Sequence, residues 1–262
     1  MKNSQQSILL RRLRGALIPL IFFVCLAQQM AASPARIVRI VDSKFYYPQQ
    51  HVKKGFKMRV KYSGADAFIR SKIDRKAGEK AGDYYVIYDR RKNQVRFDVS
   101  SIAPRLAGAV NAILKENKDS IVPRTMRDTL RKYKVKTHKE PPFLKLYAYF
   151  DKRKFKKRLP PIIRVEYFLN KKYEVERTHA FLHTGERIDS RWDLVKNKKG
   201  KFMISKNTIV IMLRQGRLVQ QNIYQYTQIK GVYLPKKITM KSKFESGKAK
   251  TETMVFSDHQ IL

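Results

Sequence analysis

Apolar and polar residues alternate along much of the chain, and a period of two is typical of strands with one buried face. The clearest example is residues 56–62, where apolar side chains alternate with basic ones. Residues 84–88 and 95–99 flank a polar turn, which predicts a hairpin. Ala67–Ile73 is predicted to be another strand, joined to the first by a turn at residues 63–66.

The carboxyl-terminal half repeats this pattern, with glycine, proline and asparagine between the apolar runs. A sheet of about ten or more twisted strands tends to curl or to split. The apolar face of such strands must be covered by another layer. Eight strands are predicted here: Phe143–Phe150, Ile162–Leu169, Tyr173–Thr184, Arg191–Val195, Lys201–Leu213, Leu218–Ile229, Lys236–Phe244 and Ala249–Phe256.

Three segments have a helical period instead and predict helices at Arg36–Phe45, Pro104–Asn117 and Ser120–Tyr133. The last two are predicted to form a helical hairpin inserted between strands. Together the elements predict an α+β fold, in which helices cover the concave side of a large, curved antiparallel β-sheet. An apolar pocket is expected between the helices and the sheet.

The residues expected to line this pocket are the apolar positions of three strands and of the two central helices. Their side chains are predicted to face each other across the concavity. The candidates are Phe56, Met58, Val60, Phe97, Val99, Leu106, Val110, Ile113, Met126, Leu130, Ile238, Met240 and Phe244.

The first 35 residues have the three parts of a cleavable secretory signal peptide. A basic start without acids is followed by 12 apolar residues at 16–27 and by small residues at 31–35. The apolar stretch is shorter than the roughly 18–20 residues that span a bilayer. We therefore expect cleavage near Ala35, a periplasmic location, and a single domain at residues 36–262. Cys25, the only cysteine, would be lost with the leader, which excludes disulfide and thiol chemistry from the mature chain.

The chain is strongly basic, with 58 Lys and Arg against 21 Asp and Glu and a net charge of +37. Such an excess favours polyanionic partners, although a generally basic proteome would produce it as well. In an exported protein the expected partner is an anionic membrane surface or envelope polymer, and no nucleic acid is expected. The basic runs Lys152–Arg158 and Lys196–Lys201 are either a docking surface or solvated loops that keep edge strands from pairing.

Sequence motifs for catalysis or metal binding are missing. The sequence has no glycine-rich phosphate loop, no Gly-x-Ser-x-Gly and no His-Glu-x-x-His. His179 and His183 lie on a predicted strand, where four residues span roughly 13 Å, too far for one metal ion. We expect no enzyme activity, no metal and no cofactor.

The last hundred residues contain a recognisable series of turns and strands. It includes Asp193-Leu194, Gly200-Lys201-Phe202 and Gly231-Val232-Tyr233-Leu234-Pro235, followed by Lys237-Ile238 and Phe256-Ser257. This series resembles the closing strands of the periplasmic outer-membrane lipoprotein carrier and sorting superfamily. The resemblance implies an unclosed half-barrel with helices over its concave side, which holds the acyl chains of lipids or lipoproteins.

Two hypotheses of function follow. The first is a monomeric periplasmic protein that binds lipid acyl chains or lipoproteins, and that carries acylated cargo across the envelope. The alternative is an envelope interaction or scaffold module, which binds a protein or an anionic polymer through its basic surface. Bound lipid would favour the first hypothesis, and a concavity filled with side chains would favour the second.

Overall fold

A computed structural model describes residues 33–73, 82–151, 160–213 and 216–262. Most of these residues are in strands, which are long in the second half of the chain. The strands are β1 (Gly55–Tyr62), β2 (Tyr84–Asp89), β3 (Gln94–Asp98), β4 (Tyr133–Glu140), β5 (Phe143–Phe150), β6 (Ile162–Leu169), β7 (Val175–Leu182), β8 (Arg187–Lys196), β9 (Phe202–Leu213), β10 (Gly216–Ile229), β11 (Val232–Phe244) and β12 (Ala249–Ile261).

The helices are short by comparison. They are α1 (Pro34–Lys44), α2 (Ser63–Lys72), α3 (Pro104–Glu116), α4 (Lys118–Ile121) and α5 (Met126–Leu130), with a 3-10 turn at Pro48–Gln50. Helix α1 confirms the first predicted helix, and Ser33 caps it by accepting a hydrogen bond from the Arg36 N–H. None of the helices in the described ranges is long and apolar enough to cross a membrane.

All twelve strands form one antiparallel sheet, in the order β3-β2-β1-β12-β11-β10-β9-β8-β7-β6-β5-β4. The chain therefore runs as a meander from β4 to β12. Strand β12 then pairs with β1, which adds the amino-terminal strands β1, β2 and β3 to the same sheet. Strands β3 and β4 lie at opposite edges and do not pair, so the sheet is not closed. This confirms the predicted α+β class, an unclosed half-barrel with helices over its concave side.

The topology explains where the helices lie. Strand β3 ends at Asp98 and β4 begins at Tyr133, yet these consecutive strands occupy opposite edges of the sheet. The 34 residues between them (99–132), which contain α3, α4 and α5, must therefore cross from one edge to the other. They cross on the concave side and bury apolar surface there.

The concave side holds two separate apolar cores. In the first, Val110 and Leu114 of α3 pack with Phe56 and Met58 of β1, and all four side chains are at most 1% exposed. In the second, α1 and α5 pack on β5, β6 and β7, and Leu146 is fully buried there. The crossing segment thus begins on one core and ends on the other.

The prediction of a second long helix at Ser120–Tyr133 is wrong. The segment is divided at Pro123, because Val122 before this proline takes an extended conformation with φ −127° and ψ 91°. Helices α4 and α5 are the two remnants, so there is no helical hairpin at this place. Helix α3 packs on the first core and α5 on the second.

The prediction of a strand at Ala67–Ile73 is also wrong, since these residues belong largely to α2. Ala65 and Ile69, one helical turn apart, are the residues that α2 buries. Strand β4 was not predicted, although Tyr133 and Val135 are half-buried and alternate with exposed lysines. The predicted leader, apart from residues 33–35, lies outside the described residues and stays a prediction, as does the basic run at 152–158.

Candidate binding cavity

A cavity of about 980 Å³ lies between the crossing segment and the middle of the sheet. One wall is formed by residues 115–133 and the other by the concave faces of β8–β11. It separates the two apolar cores, because the crossing segment is interrupted between α3 and α5. A volume of this size is at the upper end of the range of about 300–1,000 Å³ for small-molecule sites.

Aromatic side chains form much of the lining. Tyr224 and Tyr226 alternate along β10, and their rings stack at a centroid distance of 6.4 Å. On the second core, Phe45 meets Trp192 edge to face at 5.9 Å and also contacts Phe202. The aromatic lining residues are Phe45, Tyr46, Tyr47, Tyr88, Tyr133, Tyr167, Trp192, Phe202, Tyr224, Tyr226 and Tyr233.

The two phenols of β10 in this wall, those of Tyr224 and Tyr226, are neutral. Burial raises the pKa of Tyr224 and of Tyr226, so neither ionises near neutral pH. The Tyr226 hydroxyl donates to the carbonyl of Ile204 at 2.9 Å. The wall therefore offers apolar ring faces without a buried charge.

A small polar region interrupts the aromatic surface. Asn207 of β9 and Asn222 of β10 are directly paired, and Asn222 accepts a hydrogen bond of 2.8 Å from the Gln220 amide. The Oδ1 of Asn207 is buried and has no hydrogen-bond partner among the described residues, and the same holds for Oε1 of Gln49. Both residues line the cavity. These oxygens could accept hydrogen bonds from a ligand N–H or O–H.

The segment over the cavity is anchored to α1 and to the turn after it. The Asp42 carboxylate accepts hydrogen bonds from the N–H groups of Met126 at 2.7 Å and Arg127 at 3.0 Å, at the start of α5, whose N-cap is Thr125. Tyr47 donates to the same carboxylate at 2.9 Å, and burial raises the pKa of this phenol. Gln49 donates to the carbonyl of Pro123 at 2.6 Å. These bonds fix the point at which the second predicted helix breaks.

The rim of the cavity is mixed in charge, with an excess of basic groups. Arg124 pairs with Asp119 at 2.8 Å, and both side chains are more than half exposed. The other charged rim residues are Lys115, Glu116, Lys118, Asp128, Arg131 and Lys132. Five basic groups against three acidic ones favour an anionic group at the entrance.

The predicted pocket residues lie mostly in the cores and not around the cavity. Met126 lines the cavity, and Leu130 is buried in the second core. Val99 and Ile113 are half-buried against the first core. The remaining members of the first core are Phe56, Met58, Val60, Phe97, Leu106, Val110, Ile238 and Met240. Whether any of these residues contacts a ligand stays a prediction.

Phe244 shares its face of β11 with Ile238 and Met240 but is much less covered, because 44% of its surface is exposed. Its contact with a ligand stays a prediction. Phe244 is the last residue of β11, and it belongs to neither apolar core of the described residues. Alternation assigns Phe244 to a face of the sheet. It does not tell how far along the strand that face is covered.

The residues that do line the cavity were missed as a set. Tyr224, Tyr226 and Trp192 lie on strands that were predicted, but aromatic residues at alternating positions are usually core residues. The periodic spacing of Tyr224 and Tyr226 on one strand was the available signal. Only the topology shows that this strand lies opposite the gap between α3 and α5.

His179 and His183 do not form a metal-binding pair in the structure. His179 lies on β7, as expected for a strand, with Glu166 at 3.9 Å and Asp189 at 3.7 Å, and His183 follows in the next turn. Burial is the main cause that lowers the pKa of His179. Among the described residues no cluster of three or more His, Cys, Asp or Glu could hold a metal ion.

No known protein family matches the sequence, and no curated protein matches it either. Among solved structures, the chain is similar to one from Vibrio parahaemolyticus described as a "putative outer membrane lipoprotein-sorting protein domain". The similarity covers 85% of this chain and 91% of the other, at 10% sequence identity and a TM-score of 0.23. A score this low reflects little overlap of Cα positions, so it says nothing about what the present chain binds.

Proposed function

We propose that this protein binds the acyl chain of a lipid or lipoprotein in the cavity, and carries such cargo through the aqueous space of a cell envelope. The observation that carries the proposal is the cavity of about 980 Å³ between the crossing segment and the aromatic wall of the sheet. The resemblance of the closing strands to lipoprotein carriers implies the same function. Export by a cleaved leader and a periplasmic location are part of the proposal.

The physical basis is the transfer of hydrocarbon out of water. Each methylene that enters an apolar site gains roughly 0.8 kcal/mol. The neutral phenols of Tyr224 and Tyr226 present ring faces to such a chain, since burial raises the pKa of both groups. The Asn207 and Gln49 oxygens would accept hydrogen bonds from an amide or hydroxyl near the head of the ligand. The basic excess at the rim favours an anionic headgroup there.

A second candidate is an envelope interaction module without cargo. It is favoured by the net charge of +37 and by the loop at 196–201, in which Lys198 and Lys199 are exposed. Such a protein would bind an anionic polymer or an acidic protein through its surface. The cavity would then have no ligand.

Binding of a fluorescent acyl probe tests the first candidate against the second. Ile204 lies in the cavity wall, so Ile204→Trp would fill space that the probe needs. We expect at least about tenfold weaker probe binding, because several methylenes lose their contacts. The matched control is Val195→Trp, at a position that is 44% exposed. It should bind the probe like the wild type.

Two results would contradict the acyl-binding proposal. One is a wild-type protein that binds no acyl probe. The other is an Ile204→Trp protein that binds it as tightly as the wild type does. Mass spectrometry of lipid released from protein purified under native conditions would identify the natural cargo.

A further inference from the structure

Three large apolar side chains are exposed together at one end of the sheet. Met212 and Leu213 end β9, and Phe244 ends β11, with exposed fractions of 45%, 41% and 44%. Strand β10 lies between β9 and β11, and its Leu218 is paired with Ile211 on one side and with Phe244 on the other. The ends of the β9–β10 and β11–β12 hairpins therefore lie side by side.

Hydrogen bonds hold the two hairpin ends in place. The N–H of Glu245 donates to the carbonyl of Arg217 at 2.9 Å, and the N–H of Arg217 donates to Oε2 of Glu245 at 2.8 Å. Gly216 has φ +121°, and a Cβ there would lie 2.8 Å from the same carboxylate oxygen. The apolar side chains are thus presented on a fixed support. By alternation Leu213 and Phe244 face the concave side, whereas Met212 faces the convex side together with Arg217, Lys241 and Lys243. The apolar side chains therefore surround the end of the sheet on both faces, which suits contact with another surface end-on.

The surroundings of these side chains are basic. Arg217, Lys241 and Lys243 are exposed near the same strand ends. None of the three takes part in an ion pair with another described residue, and the Glu245 carboxylate accepts the hydrogen bond from the backbone of Arg217. Three basic groups stand against the one carboxylate of Glu245, so this end of the sheet has a net positive charge, which is complementary to an anionic surface.

An apolar stripe connects the patch with the cavity. Alternate residues of a strand face the same side, so Ile209, Ile211 and Leu213 face the concave side with the cavity residue Asn207. The seven residues from Asn207 to Leu213 span roughly 20 Å. A lipid chain that leaves a membrane at the patch would meet apolar side chains on the way to the cavity.

We propose that Met212, Leu213, Phe244, Arg217, Lys241 and Lys243 form a docking patch for the surface of an anionic lipid bilayer. The three apolar side chains enter the boundary between headgroups and acyl chains, and the basic side chains contact lipid phosphates. We name these six residues the hairpin-end patch. Docking there goes beyond the proposed acyl binding, since either function can exist without the other.

Sedimentation with vesicles tests the apolar part of the patch. The wild type should bind vesicles of phosphatidylglycerol and phosphatidylcholine, and hardly bind vesicles of phosphatidylcholine alone. The triple variant Met212→Asp, Leu213→Asp, Phe244→Asp should bind the anionic vesicles at least about tenfold more weakly. Val255→Asp is the matched control, because Val255 of β12 is 43% exposed and lies outside the patch. This variant adds one negative charge, and its affinity for the anionic vesicles should remain within about twofold of that of the wild type.

Charge reversal tests the basic part. Lys241→Glu with Lys243→Glu should weaken vesicle binding at least about tenfold at low salt, since each reversal removes one attraction and adds one repulsion. Lys198→Glu with Lys199→Glu makes the same change of charge in the exposed loop between β8 and β9. We expect a clearly smaller loss from the loop variant. An equal or larger loss would show general electrostatic binding and would overturn the patch.

Further outcomes distinguish membrane docking from dimer formation through the same patch and from acyl binding in the cavity. A wild type that does not sediment with anionic vesicles overturns the proposal. So does a wild-type dimer that the triple variant converts into monomers without any vesicle binding, since a second copy would then cover the patch. Ile204→Trp, the cavity variant, should keep vesicle binding. If it loses vesicle binding together with probe binding, the cavity and not the patch contacts the lipid.

Discussion

The carboxylate of Asp42 accepts a hydrogen bond of 2.7 Å from the backbone N–H of Met126. Asp42 lies on α1 and Met126 begins α5, 84 residues further along the chain. The bond therefore holds the far end of the crossing segment against the first helix. Because Met126 also lines the cavity, this single contact couples the stability of the second core to the shape of the cavity.

Replacement of Asp42 by alanine should lower the free energy of unfolding by about 1–3 kcal/mol. It removes two hydrogen bonds to the first N–H groups of α5 and leaves the buried Tyr47 hydroxyl without its acceptor. Urea denaturation followed by circular dichroism measures the loss. The control is Asp193→Ala, because Asp193 is 64% exposed and its ion pair with Lys206 spans 3.6 Å. The control should change stability by less than about 0.5 kcal/mol.

The affinity of Asp42→Ala for the acyl probe tests whether Asp42 also holds the shape of the cavity. If α5 moves when its hydrogen bonds to Asp42 are lost, Asp42→Ala should bind the acyl probe more weakly at a temperature at which it is still folded. An unchanged affinity in a destabilised protein would mean that the cavity keeps its shape without this hydrogen bond.

Phe56 and Phe244 should respond to truncation in opposite ways, although alternation assigned both to the buried face. Phe56 is fully buried in the first core, so Phe56→Ala should cost about 3–5 kcal/mol of stability. Phe244 is 44% exposed, so Phe244→Ala should cost less than about 0.5 kcal/mol. Chemical denaturation of the two variants measures the difference. Equal losses would mean that the end of β11 is covered in solution.

These two residues show what the sequence could predict and what it could not. The alternation of apolar and polar residues predicted which face of β1 and β11 is apolar, because this property depends only on the order of residues along one strand. Coverage of that face depends on the path of the crossing segment, which follows from the opposite positions of β3 and β4 in the sheet. No local pattern contains this topology.

The errors among the helices have local causes. Pro123 was inside the predicted second helix, and a proline at this place ends a helix at the residue before it. In α2 the apolar residues Ala65 and Ile69 have helical spacing, but they directly follow a strong strand pattern and were assigned to a turn and a second strand. The aromatic wall was beyond prediction, because core and cavity positions have the same residue types.

Stability should fall as the pH is lowered below about 6.5, in part through His51 and His179. Burial is the largest cause that lowers the pKa of both side chains below the ordinary value of 6.5. The unfolded chain therefore binds protons at a higher pH than the folded protein, so stability decreases as the pH falls through the unfolded value. The double variant His51→Gln, His179→Gln should show a flatter dependence between pH 7 and pH 5.

Melting temperatures across this pH range test the prediction. His183→Gln is the control, because His183 is exposed in the turn between β7 and β8. It should keep the pH dependence of the wild type. A double variant with the same pH slope as the wild type would show that other groups, such as carboxylates, account for the loss at low pH.

Truncation of Ile113 and of Met126 should distinguish a residue that only packs in a core from one that also contacts a ligand in the cavity. Both were predicted to line the pocket, but Ile113 is half-buried against the first core, whereas Met126 lines the cavity. Truncation of either side chain to alanine removes apolar contacts and should lower stability, by up to about 2–5 kcal/mol for the buried Met126. Only Met126→Ala also changes the cavity wall, so it alone should alter the affinity for an acyl probe measured on folded protein. Isothermal titration with the probe, under conditions in which denaturation curves show both variants to be folded, gives the comparison. If Ile113→Ala changes the affinity as much as Met126→Ala does, the bound chain extends into the first core, and the original assignment of Ile113 to the pocket would be right.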